Sequence, residues 1–208
     1  MRTVVTKKDR ALAARFILGG GLCAVPTETV YGLAANGLSE DAVMKLYEVK
    51  GRPETKPISL LITGIKQAES FCGNIPEDAY ALADAFWPGP LTMVLEKSGA
   101  VPDIVTAGLG TVGVRCPRHD DTLGIIELCG VPLAAPSANV SDMKSPVCAK
   151  DVLGYFDGKI ECVFDGGPCS VGVESTIVDM TERPYRILRQ GGLERETILA
   201  VLGEGSLK

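Results

Sequence analysis

Three cations fall within seven residues at Lys50, Arg52 and Lys56, and the chain then turns apolar through Ile58 to Ile62. This stretch, KGRPETKPISLLI, constrains the fold more than any other. Ser39 can cap a helix of about a dozen residues that delivers Lys50 at its end, and Pro53 stops it because proline cannot continue a helical hydrogen-bond ladder. Lys56 then lies in a turn, and Ile58 to Ile62 reads as a buried strand. Two readings of the cations stand side by side. Grouped on one turn against an apolar strand, they suit the phosphates of a nucleotide. Equally, cations at a helix C-terminus compensate its dipole and need no ligand.

The rest of the chain alternates strand-like and helix-like segments. Thr6 can cap a first helix over residues 7–18, closed by Gly19-Gly20-Gly21, with a strand over 22–25 directly after it. Helical stretches are expected over 65–71, 76–86, 120–129, 147–156 and 194–202. Strands are expected over 91–95, 111–115, 132–136, 161–164, 175–179 and 185–189. Mixed in this way, with some strands adjacent in sequence, the elements predict an α/β fold: a twisted mixed sheet flanked by helices. No linker or repeat divides the 208 residues, so one domain over 1–208 is expected.

Composition excludes some partners. A formal net charge of −5 argues against binding nucleic acid over a broad basic surface, although a local basic pocket remains compatible with it. No apolar run reaches the roughly 18 residues of a bilayer span, and the N-terminal stretch lacks the apolar core of a signal peptide, so a cytoplasmic protein is expected. The seven cysteines are scattered without a CxxC pair and read as reduced, buried thiols. His119 is the single histidine, and no His/Cys cluster has zinc-ligand spacing.

Polar loops interrupt the apolar strands at three places. PTETVYG brings Thr27, Glu28, Thr29 and Tyr31 onto a loop at the end of a buried strand, where α/β proteins bind ligands. An ordinary Ser/Thr turn accounts for the same residues. PSAN, continued to Pro146, offers Ser137, Asn139 and Ser145 as neutral groups, and also reads as a capping loop. Arg115 and Arg189 each end an otherwise apolar strand and either clamp an anion bidentately or snorkel to the surface. Ser175, at the mouth of the strand in GVESTIVD, adds a further hydroxyl. Neither the GxxxxGK[ST] nor the GxSxG signature is present.

In order, PTETVYGL, KGRPETKP, GVRCP, APSANVS, GVESTIVD and RILRQG resemble the YrdC family of threonylcarbamoyl-AMP synthases over residues 11–192. The resemblance implies a twisted sheet lining a concave, positively charged cavity. It also implies a reaction in which L-threonine, bicarbonate and ATP give L-threonylcarbamoyl-AMP and pyrophosphate, for transfer to tRNA by a threonylcarbamoyl transferase complex. Carried over by motif, Lys50, Arg52, Lys56, Thr111, Ser137, Asn139, Ser145 and Arg189 are expected at ATP, with Lys50 and Arg52 the catalytic cations. Thr29, Tyr31, Arg115, Ala135 and Ser175 are expected at L-threonine. Mg²⁺ is expected on the ATP phosphates, with no protein metal ligand assigned. The longer members of the family carry a further C-terminal domain, which is not expected within these 208 residues.

Lys56, Leu61 and Asp142 depart from the family pattern, which favours asparagine, histidine and glycine there. They leave open a relative that adenylates another carbamoyl substrate. A module binding tRNA or double-stranded RNA through the same cavity is the alternative of a different class.

Overall fold

The computed structural model describes residues 2–208. In chain order the elements are β1 (Val4–Thr6), α1 (Arg10–Leu18), β2 (Cys23–Val25), β3 (Gly32–Asn36), α2 (Glu40–Lys50), β4 (Leu60–Leu61), α3 (Ile65–Ala68), α4 (Glu77–Phe86) and β5 (Leu91–Glu96). They continue with α5 (Asp103–Thr106), β6 (Thr111–Arg115), α6 (Asp120–Cys129), β7 (Leu133–Ala134), α7 (Ala149–Phe156), β8 (Cys162–Phe164), β9 (Thr176–Asp179), β10 (Arg186–Arg189) and α8 (Arg195–Leu202). The strands form one mixed ten-stranded sheet in the order β1-β8-β2-β3-β7-β4-β6-β5-β9-β10. This is the α/β architecture expected from the sequence.

The first segment departs from expectation. Residues 4–6 form an edge strand paired parallel to β8, and Asp9 rather than Thr6 caps α1, its carboxylate accepting from Leu12 N at 2.8 Å. Both side chains are good caps, but the Val4-Val5 pair is drawn onto the sheet edge, which moves the helix start past Thr6. The short helix α5 carried no periodic signal because a single turn is too short to show one.

Side chains alternate across the sheet, as the two-residue strand period requires, except in β10, where an irregularity between Ile187 and Arg189 shifts the register by one residue. On one face Ala24, Leu33, Ala35, Leu60, Met93, Val112, Val114 and Val178 join the main core, into which α2, α4 and α7 also pack. On the other, Cys23, Val25, Ala34, Leu61, Leu133 and Phe164 pack against Ala13, Ala14 and Ile17 of α1 and Ile125, Ile126 and Cys129 of α6. These two helices cover only part of their face. The uncovered part, over β4, β6, β5 and β9, becomes the floor of a cleft.

Candidate functional site

The cleft opens to solvent and is lined by residues from all the polar loops named above. Strand register explains why they meet. Arg189 of β10 pairs with Ile177 of β9, Ile177 pairs with Thr92 of β5, and Arg115 of β6 pairs with Leu61 of β4. One step beyond the Met93–Val114 pair, Thr92 comes opposite Arg115. Arg189, Ile177, Thr92, Arg115 and Leu61 therefore form one row across five strands, all facing the open side. Gly113 keeps the row's neighbour low, since a Cβ there would lie 2.6 Å from Ser59 Oγ.

Arg115 is 7% exposed and held from two sides. Its Nε donates to Gly89 O at 3.1 Å, and its Nη2 lies 2.9 Å from Glu28 Oε2. That ion pair is not aligned as a hydrogen bond, and both Arg115 Nη2 and Glu28 Oε1 are buried without a hydrogen-bond partner among the described residues. Glu28 Oε2 also accepts from Arg118 N at 3.0 Å. Arg189 reaches across to the residue before β9, where Nη2 donates to Ser175 O at 2.9 Å and to Ser175 Oγ at 3.2 Å. The Ser175 hydroxyl is in turn 2.7 Å from that of Thr92.

Arg52 follows α2 through a left-handed Gly51 (φ 58°), whose αL conformation ends the helix and turns the chain into the cleft. Its Nη2 donates to Pro57 O at 2.9 Å and its Nε to Lys56 O at 3.2 Å. Burial lowers the pKa of Arg52 and of Arg189, and repulsion from Arg115 and Arg52 lowers that of Arg189 further. Three mutually repelling guanidinium groups thus converge on one cleft, with Glu174 the one carboxylate among its lining residues. An anion placed among them relieves that repulsion.

Thr29 faces the cleft with its hydroxyl 2.8 Å from that of Thr27, whose own proton goes to Val30 O at 2.7 Å. The Thr29 hydroxyl accordingly donates to Thr27 and keeps its lone pairs for a ligand N–H or O–H. Ala135 and Ser137 line the opposite wall, and Ser137 Oγ donates to Asn139 Oδ1 at 2.5 Å. Tyr31 lines the cleft but is fully buried and donates its hydroxyl to Gly167 O at 2.7 Å, with burial raising its pKa.

Lys50, Lys56, Thr111, Asn139 and Ser145 do not line the cleft. Lys50, only 1% exposed, donates through Nζ to Ser137 O and Asn139 O, each at 2.5 Å, and its own carbonyl accepts from Ser141 N at 3.0 Å. It straps α2 to the wall that carries Ser137. Asn139 holds the same loop through Nδ2, which donates to Met143 O at 2.7 Å. Ser145 Oγ donates to Glu174 Oε1 at 2.5 Å, which lowers the Glu174 pKa. Lys56 is solvent-exposed and lies 3.4 Å from Asp142 Oδ1. Thr111 starts β6, about 13 Å along the strand from Arg115 at ~3.3 Å per residue.

Sequence reasoning passed over Thr92, Ser59, Ile177 and Glu174 as lining residues. The alternation within LTMVL, SLL and STIVD carried the signal for the first three, since each sits out of phase with the core-facing positions. Glu174 sits on a loop and gave none. Asp142 adopts a positive φ of 65°, which explains why glycine suits that position.

Residues 15–191 match the model of the Sua5/YciO/YrdC family, described as telomere recombination. This chain belongs to that family. It is 53% identical over 193 residues to the threonylcarbamoyl-AMP synthase of Pyrococcus abyssi, an alignment covering 93% of this chain and 57% of that protein. It is 46% identical over 194 residues to the threonylcarbamoyl-AMP synthase of Bacillus subtilis, covering 93% and 56% respectively. The crystal structure of P. abyssi Sua5 complexed with L-threonine superposes with a TM-score of 0.96 at 48% identity, over 99% of this chain and 63% of that one. The chain thus spans a little over half the length of these relatives. No helix among the described residues is long and apolar enough to cross a membrane.

Proposed function

We propose that this family member binds ATP and L-threonine in the cleft and, with bicarbonate, forms L-threonylcarbamoyl-AMP and pyrophosphate, a product for a tRNA threonylcarbamoyl transferase complex. The observation that carries the proposal is the convergence of Arg52, Arg115 and Arg189 with the Thr29, Ser137 and Ser175 hydroxyls on one concave face. The relatives named as threonylcarbamoyl-AMP synthases, and the solved relative complexed with L-threonine, support this choice of substrates.

Arg115, with Ser175 and Thr29, suits the amino-acid end: a fork for the carboxylate, and hydroxyls for the amino and side-chain groups. Arg52, Arg189 and Ser137 suit the phosphates. The threonine amine adds to bicarbonate with loss of water, and a carbamate oxygen then attacks the α-phosphorus. The bond from that phosphorus to the bridging oxygen of the β-phosphate breaks and pyrophosphate leaves. Fixed guanidinium groups stabilise the charge that develops on the α-phosphoryl oxygens and the leaving group, so positioning and electrostatics supply the catalysis. No cysteine is among the lining residues, and burial raises the Cys116 and Cys169 thiols to about 11, where they stay protonated.

No cluster of three or more His, Cys, Asp or Glu side chains that could hold a metal occurs among the described residues. Mg²⁺ would be held through the ATP phosphate oxygens, where it would supply further charge neutralisation. Mass spectrometry of the nucleotide formed from ATP, L-threonine and ¹³C-bicarbonate tests the proposal. A threonylcarbamoyl-AMP carrying the label is expected, and AMP or unchanged ATP alone overturns it.

A further inference from the structure

The three guanidinium groups of the cleft differ in what neutralises them. Arg52 donates only to the carbonyls of Lys56 and Pro57. Arg189 donates to Ser175 and has Glu174 as the nearby opposite charge. Among the described residues Arg115 is the one of the three that forms an ion pair, with Glu28, and that carboxylate is 6% exposed, lies outside the cleft lining, and approaches Arg115 to 2.9 Å. Glu28 is itself fixed: Oε2 accepts from Arg118 N at 3.0 Å, and its carbonyl accepts from Val171 N at 2.8 Å, on the loop that leads to Glu174 and Ser175.

We infer that Glu28 is a specificity-determining residue, one that divides the cleft into an end for a single carboxylate and an end for polyphosphate. The inference rests on the amino-acid and nucleotide reading of the site. A buried carboxylate cancels the net charge of Arg115 while leaving its donors in place. An amino-acid carboxylate, with one charge and an ammonium or carbamate nitrogen beside it, still gains the fork's geometry. A polyphosphate gains more from Arg52 and Arg189, neither of which is held in an ion pair among the described residues, so it settles at their end and not where the amino acid must sit. Without Glu28 the cleft would offer three guanidinium groups free of ion pairs to the more highly charged substrate, and ATP or pyrophosphate would compete for the amino-acid end.

Glu28→Gln isolates this charge. The amide oxygen can keep the Arg118 N hydrogen bond, and the amide nitrogen can replace Oε1, which has no partner to lose. Isothermal titration with pyrophosphate alone, then with L-threonine in the presence and absence of pyrophosphate, reads the outcome. The wild-type chain is expected to bind one pyrophosphate and to bind L-threonine with an affinity that pyrophosphate changes by less than about twofold. Glu28→Gln is expected to take a second pyrophosphate, and to bind L-threonine about tenfold more weakly when pyrophosphate is present. A merely structural role would weaken both ligands without creating competition, and that result overturns the inference. If Glu28→Gln does not fold, Glu28→Gln/Arg115→Gln removes both charges together. Pyrophosphate affinity is then expected to match the wild type, and a tenfold loss would show Arg115 already serving phosphate and refute the division. Failure of the wild type to bind pyrophosphate would instead sink the nucleotide reading on which the inference stands.

Discussion

Lys50 offers a test of the site's electrostatics that needs no substrate. Its ammonium is buried between two carbonyl oxygens, and the charge acting on it is that of Arg52, which is of like sign. Burial first, and Arg52 second, bring its pKa from the ordinary 10.5 down to about 7. A neutral amine still has two protons, enough for Ser137 O and Asn139 O, so losing the charge costs no hydrogen bond. Between pH 7 and 10.5 the unfolded chain therefore holds a proton that the folded chain has released. The unfolded state binds more protons, so Lys50 makes stability rise with pH across this window and adds no slope below it. At 1.36 kcal/mol per pKa unit, the rise reaches about 5 kcal/mol over the full window and about 3 kcal/mol between pH 7 and 9.5. Urea unfolding at half-unit intervals from pH 6 to 9.5, on wild type and Lys50→Met, measures it. The wild-type stability minus that of Lys50→Met should be flat below pH 7 and climb by about 1.4 kcal/mol per pH unit above it. Parallel curves would show that Lys50 remains charged in the fold and would refute the reasoning.

Arg52→Ala and Arg189→Ala should each cut adenylate formation by about a hundredfold or more while the thermal midpoint moves little, because each removes charge stabilisation rather than core. Unchanged turnover in both would discredit the phosphate end of the cleft. Arg115→Lys should raise the KM for L-threonine about tenfold with a smaller effect on that for ATP, since a bidentate fork becomes a point charge; equal effects on both substrates would remove Arg115 from the amino-acid end. Gly113→Ala sets a Cβ 2.6 Å from Ser59 Oγ and 3.3 Å from Ser59 Cβ, so chemical denaturation should show a loss of about 1–3 kcal/mol that Ser59→Gly in the same chain largely restores. No restoration would place the strain elsewhere.

The sheet was legible because its strands are short apolar runs between strong turn signals, and Ser39 marked the start of α2, whose end falls at Gly51, two residues before the Pro53 read as its stop. Convergence of Thr29, Arg52, Arg115, Ala135, Ser137, Ser175 and Arg189 on one cleft was not legible from any motif singly, because each sits on a different element and only the register of β10, β9, β5, β6 and β4 brings them together. Lys50 shows what sequence hides. A lysine close to an arginine at a helix end looks like another solvent-facing cation, yet the PSAN loop folds over it and takes its Nζ onto two carbonyl oxygens, a long-range contact that the local sequence does not show. Glu28 was equally opaque, since a carboxylate between two threonines in a turn reads as solvated until Arg115 arrives from β6 to pair with it.

Pyrophosphate release by the purified chain given ATP, Mg²⁺, bicarbonate and L-threonine, with each component left out in turn, tests the central claim most directly. The account predicts release that requires all of ATP, bicarbonate and L-threonine and falls by about a hundredfold in Arg52→Ala. Release that persists without L-threonine, or is absent although ATP binds, would contradict it.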